Sequence, residues 1–148
     1  MRKLLGLVLL MVILTTSTAI TTSNPNTMHT IEGTWELQNF HMYDGEKIID
    51  TVAIQNGYRQ VKMYYNGKVM WSRTDPNDTI GRFGFGSYRI TDTELIETIE
   101  FGDYGMMRAL DTLRNFTFEL NLQDDSYSQI TLDSDGGRTF SENYKRID

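Results

Sequence analysis

Eight short antiparallel strands closing into an up-and-down β-barrel is the fold this chain predicts. Three observations carry the prediction. From residue 31 onward, short runs of β-branched and aromatic residues alternate with period 2, and turn chemistry separates them. Most of the joining segments are of hairpin length. The runs number eight within about 115 residues, and an antiparallel sheet of that size commonly closes, because closure removes its exposed edges. The same pattern also admits a two-sheet sandwich.

The elements follow in order. The first strand spans about 31–41, with Trp35 and Leu37 alternating against Thr34 and Glu36. Residues 43–57 fit either a short helix or a strand, lined by Ile48, Ile49, Val52 and Ile54. A strand over 58–65 meets the Asn66-Gly67 pair, the strongest short hairpin signal, and its return strand spans 68–74. Asp75-Pro76-Asn77-Asp78 is a turn by composition. The strand over 81–91 contains Gly84 and Gly86 between aromatics. Glycine at every second strand position clears one face, so that the sheet bends or a neighbour approaches closely. A tight turn at 91–93 leads into a strand over 94–101. Residues 103–114 switch to helical spacing, with Asp103 as N-cap and Met106, Met107, Leu110 and Leu113 on one face. Strands over 115–122, 126–132 and 139–146 complete the set.

The chain opens with the zones of a secretory signal peptide: Arg2 and Lys3, an apolar run from Leu4 to Leu14, and a small-residue exit with Ser17 and Ala19 before the expected cut. Eleven apolar residues are too few to span a bilayer, which takes roughly 20. The expected division is a signal peptide over 1–19, a polar disordered lead-in over 20–30 and the barrel domain over 31–148. The chain has no cysteine, which excludes lipid attachment through cysteine, disulfides, thiolate metal sites and thiol nucleophiles. Of its 14 basic residues, Arg2 and Lys3 leave with the signal peptide; 12 against 20 acidic residues give the mature chain a net charge of −8. That balance argues against binding nucleic acid or anionic lipid. The expected product is a soluble periplasmic or extracellular protein without a membrane anchor.

Gly33-Thr34-Trp35 on the first strand, with Tyr144-Lys145-Arg146 closing the last, resembles the lipocalin and calycin pattern. The order of further pieces is similar to small lipocalin-like domains exported by Bacteroidetes: Met70-Trp71, the turn after Asp75, Gly84 to Tyr88, Glu97 to Phe101 and Lys145-Arg146. The resemblance covers about residues 31–147. It implies a barrel whose closed end is plugged by Arg146 over the Trp35 ring, with Gly33 beside them, a cation–π contact of about 0.5–2 kcal/mol. It implies a secreted binding role and no reaction. The chain is shorter than the larger lipocalins and lacks their disulfide and long C-terminal helix.

Side chains on a strand point alternately in and out, so the apolar phase of each strand predicts which residues face the lumen. Leu95, Ile99 and Phe101 share their phase with Glu97; Phe140 and Tyr144 share theirs with Glu142; Val69 and Trp71 are followed in phase by Arg73. A charge on a buried face must be paired or wet. One reading makes Arg73, Glu97 and Glu142 a polar cluster gripping a ligand's polar end, with Trp71, Tyr88, Phe118 and Tyr144 as apolar walls, the usual composition of a small-molecule pocket. The other makes the charges an internal ion pair that fills the barrel, or places them at strand ends in water.

Catalysis and metal binding have less in the sequence. Its two histidines are His29, in the lead-in, and His41, at a strand end; neither lies in a nucleophile-bearing motif. Glu97 and Glu142 would be the carboxylates for glycoside hydrolysis, but any two glutamates invite that suggestion. The 75–79 turn has Ile80 and Gly86 where a calcium loop requires glycine and glutamate. The expectation is therefore a non-enzymatic binder of a small apolar or amphipathic ligand, with no cofactor and no metal; a filled barrel working through its surface is the alternative.

Overall fold

The computed structural model describes residues 30–148. The predicted signal peptide, and the lead-in apart from Thr30, lie outside the described residues. Nine strands and one short helix follow one another: β1 (Gly33–Asp44), β2 (Lys47–Ala53), β3 (Arg59–Tyr65), β4 (Lys68–Asp75), β5 (Asp78–Ile90), β6 (Glu94–Gly102), α1 (Tyr104–Ala109), β7 (Asn115–Leu122), β8 (Ser126–Leu132) and β9 (Arg138–Arg146). All pairings are antiparallel, in the order β2-β1-β3-β4-β5-β6-β7-β8-β9, and β1 also pairs with β9. The sheet thus closes on itself. The fold is an all-β antiparallel barrel, as the alternation predicts, and no sandwich forms.

The strand count differs by one from the predicted eight. The ambiguous 43–57 stretch contributes β2, which lies beside the ring rather than in it. One edge of β1 is taken by β9. The other is divided between β3, at Gly33 to Glu36, and β2, at Asn39 to Asp44. Once β2 occupies that upper edge, β3 can close the ring only through the lower one. All seven β2 residues are exposed, which explains why Ile48, Ile49 and Val52 gave no clean inward phase.

The hairpin signals act as their chemistry requires. Asn66 (φ 47°) and Gly67 (φ 72°) both take positive φ and join Tyr65 to Lys68 in register, the backbone a two-residue type I′ turn needs. This end of the barrel also holds the 91–93 and 123–125 turns, the start of β1 and the end of β9, and it is closed. Trp35 is fully buried, edge-on to Tyr127 at 4.9 Å; Tyr127 stacks on Tyr144 at 4.7 Å, and Tyr88 packs edge-on against Tyr64 at 4.9 Å. The Arg146 guanidinium lies 4.1 Å from the centre of the Trp35 ring. It donates to the carbonyls of Glu32 (2.7 Å), Thr30 (3.1 Å) and Asp124 (3.1 Å). Gly33 makes this approach possible: a Cβ there would stand 2.1 Å from Nη1 of Arg146.

One predicted inward residue faces out. Phe101 shares its parity with Ile99, but pairing slips from Gly86↔Ile99 to Phe85↔Phe101, leaving Glu100 as an extra residue. The bulge reverses the phase, and Phe101 is 48% exposed beside Phe85.

Candidate functional site

Above the aromatic floor the barrel is not filled. A cavity of about 220 Å³ occupies its upper half, below the end that carries α1. The Asn66-Gly67 hairpin sets one wall, since its register places Lys62 opposite Trp71 and Gln60 opposite Arg73, all four facing in. Next to Trp71 on β5 is Gly84, and a Cβ there would stand 2.5 Å from the indole Nε1. Glycine at this position lets the indole lie flat against the sheet, so the glycine–aromatic alternation clears the lumen. Ile99, Phe116 and Phe118, with Met106 from α1, extend the apolar side; Gln60, Gln129 and Glu142 form the polar side.

Two hydrogen-bond networks organise the polar groups. In the first, Lys62 Nζ donates to Glu97 at 3.0 Å (Oε1) and 3.3 Å (Oε2) and to Gln129 Oε1 at 2.7 Å, while the Tyr64 hydroxyl donates to Glu97 Oε1 at 2.5 Å. The Lys62 and Glu97 side chains are only 5% and 4% exposed. This buried ion pair is neutral overall, and its ammonium also lies 5.9 Å from the Phe118 ring centre and 5.7 Å from that of Tyr144. In the second, the Tyr58 hydroxyl donates to Gln60 Oε1 at 2.9 Å, and Gln60 Nε2 donates to the Tyr144 hydroxyl at 2.6 Å and to Glu142 Oε2 at 3.2 Å. The Tyr144 hydroxyl donates to the same Glu142 oxygen. Among the described residues no buried side-chain nitrogen or oxygen lacks a partner, the condition under which a buried polar network is stable.

Burial raises the Tyr64, Tyr127 and Tyr144 hydroxyls well above the usual tyrosine value of 10.0, and the Glu97 charge (for Tyr64) and the Glu142 charge (for Tyr144) push in the same direction. The sign of the consequence follows from linkage. In the unfolded chain these groups lose protons near their ordinary pKa, whereas folded they keep them, so above that pH the unfolded state binds fewer protons and stability falls. Stability from these three tyrosines is complete below pH 10 and declines steeply as pH rises beyond it. A titration followed at 295 nm should show the exposed tyrosines ionising first. The buried ones should follow in one cooperative step that coincides with loss of the far-ultraviolet circular dichroism signal. Smooth ionisation of every tyrosine in a folded barrel would contradict this assignment.

Of the residues expected to contact a ligand, Trp71, Arg73, Glu97, Phe118 and Glu142 line the cavity. Tyr144 reaches the polar wall only through its hydroxyl, and its ring belongs to the floor. Tyr88 lies lower still, against Tyr64, its N–H bonded to the Gly67 carbonyl. Arg73, Glu97 and Glu142 do not form one cluster. Glu97 pairs with Lys62, Glu142 is held by Gln60 and Tyr144, and Arg73 lies exposed at the mouth beside the Tyr58 hydroxyl. The residues missed were Gln60, Lys62 and Gln129. For Gln60 and Lys62 the signal was present in the two-residue hairpin, which forces Tyr64, Lys62 and Gln60 to share the phase of Val69, Trp71 and Arg73. His41 is outside the cavity, its ring 6.3 Å from that of Tyr43. The Asp75 carboxylate accepts the Asn77 N–H at 2.8 Å and closes a turn. Among the described residues no three acidic or histidine side chains converge on a metal position.

This architecture has counterparts among solved structures. A lipocalin-like protein from Bacteroides uniformis superposes with a TM-score of 0.55 at 13% identity, covering 78% of this chain and 97% of its own. An uncharacterized protein from Bacteroides eggerthii gives 0.52 at 14% identity, covering 78% and 98%. At these identities the likeness is one of fold, and the fold is lipocalin-like. No protein-family model and no curated protein matches the chain.

Proposed function

We propose that this protein is an exported, non-enzymatic carrier or sensor that binds one small amphipathic molecule in the upper barrel, and that it belongs with the small lipocalin-like domains exported by Bacteroidetes. The observation that carries this reading is the two-sided cavity, with Trp71, Ile99, Phe116 and Phe118 facing Gln60, Gln129 and Glu142 above a sealed floor. An apolar pocket with a few fixed polar groups is the usual form of a small-molecule site. The signal-peptide pattern over 1–19 supports export. Among the described residues no helix is long and apolar enough to cross a membrane.

One observation favours a second reading, action through the outer surface. Met63, Met70, Phe85 and Phe101 pair in succession across β3 to β6 on the outside of the barrel, and an apolar row of this kind is where protein contacts form. Native mass spectrometry of the protein from its own source separates the two. The carrier reading expects a reproducible co-purifying small mass that is lost in Trp71→Ala and weakened in Arg73→Ala. Consistent absence of such a mass transfers the function to the outer row.

A further inference from the structure

We propose that the ligand of this cavity is a single-ring aromatic acid, whose ring lies between Trp71 and Phe118 and whose carboxylate is held by Arg73 at the mouth. The inference rests on the carrier reading and narrows it to one ligand class. Size is the first argument. A cavity of about 150 Å³ is enough for benzene, and drug-sized pockets begin near 300 Å³; at about 220 Å³ this one has room for a ring and one substituent. Shape is the second. Trp71 is held flat by Gly84, and the opposite wall carries Phe116 and Phe118, so the apolar space is bounded by aromatic faces that suit offset or edge-on ring contacts.

Charge is the third argument. Lys62 has Glu97 and Gln129 as acceptors and offers a ligand little. Arg73 forms no ion pair among the described residues; the Tyr58 hydroxyl lies beside it, and Asp78 feels its charge without closing on it, so most of its five donors remain available. The nearby carboxylates are engaged elsewhere. Asp75 holds the Asn77 N–H, Asp78 holds the Ile80 N–H and Arg82, and Asp103 holds Arg82 with the N–H groups of Phe83, Gly105 and Met106. Glu142 takes its donors from Gln60 and Tyr144. A second space of about 180 Å³, beneath α1, shares Trp71, Arg73 and Met106 with the cavity. It gives the carboxylate room at the rim while the ring is inside.

The test is isothermal titration of the dialysed protein with benzoate and with benzyl alcohol, its neutral counterpart of similar shape, in the natural chain and in Arg73→Gln. Benzoate should bind at least roughly tenfold more tightly than benzyl alcohol, the scale of a charge-assisted hydrogen bond, and Arg73→Gln should remove that preference by weakening benzoate far more than benzyl alcohol. Equal affinities in the natural chain would overturn the anionic group but leave the cavity reading standing. A preference that survives Arg73→Gln would overturn the role of Arg73. If neither compound binds while a co-purifying mass is present, the single-ring class is wrong and the carrier reading holds; if that mass is also absent, both fall.

Discussion

Lys62→Met is expected to destabilise the barrel by about 3–5 kcal/mol, and Lys62→Met combined with Glu97→Gln to recover most of that loss. Lys62 and Glu97 are both nearly inaccessible to water. Removing the ammonium leaves a buried carboxylate with the Tyr64 hydroxyl as its remaining partner. An unpaired buried charge costs far more than the net worth of the pair, because the pair had already offset most of its own desolvation. Glutamine at 97 is nearly the same shape and carries no charge. Its carbonyl can accept from Tyr64, and its amide can donate to Gln129 in place of Lys62. Urea denaturation of the two single variants and the double variant gives the coupling directly. A Lys62→Met protein as stable as the natural one would mean that water reaches Glu97, and the floor of the cavity would have to be redrawn.

This pair also marks the limit of what the sequence made legible. The fold was readable because alternation, turn chemistry and strand number agree on one answer. The aromatic plug was readable through the lipocalin resemblance carried by Gly33-Thr34-Trp35 and Tyr144-Lys145-Arg146, and β1–β9 pairing sets Trp35 opposite Arg146. The site was readable only in part. Arg73, Glu97 and Glu142 stood out as charges on otherwise apolar phases. On β3 the outward residues Val61, Met63 and Tyr65 look as apolar as the inward ones, so Lys62 drew no notice. Which charges meet also depends on the curvature and shear of the closed sheet, and these are collective properties of all its strands. Glu97 therefore meets Lys62 from β3, rather than Arg73 from the neighbouring β4. Phe101 failed for a local reason, a bulge that reverses phase without leaving a residue type behind.

Trp35→Ala is expected to cost about 3–5 kcal/mol, a large share of the roughly 5–15 kcal/mol that holds a domain of this size folded. The indole is fully buried, donates through Nε1 to the Ile31 carbonyl at 2.7 Å, and carries Tyr127 on its edge and Arg146 on its face. Its loss therefore removes packing, one hydrogen bond and the surface on which the guanidinium rests. Arg146→Met separates these contributions, since it keeps an apolar cover over the ring while abandoning the carbonyls of Thr30, Glu32 and Asp124 that tie the N-terminal approach and the β7–β8 turn together. It should cost less than Trp35→Ala, and hydrogen exchange should rise first at Ile31 to Trp35 and at 123–126. The plug and the cavity occupy opposite ends of the barrel, so a folded Arg146→Met protein should retain the affinity of the upper cavity for its ligand. Loss of ligand together with normal stability would show that the closed end shapes the cavity, and the two halves of the barrel could no longer be treated as separate structural and binding layers.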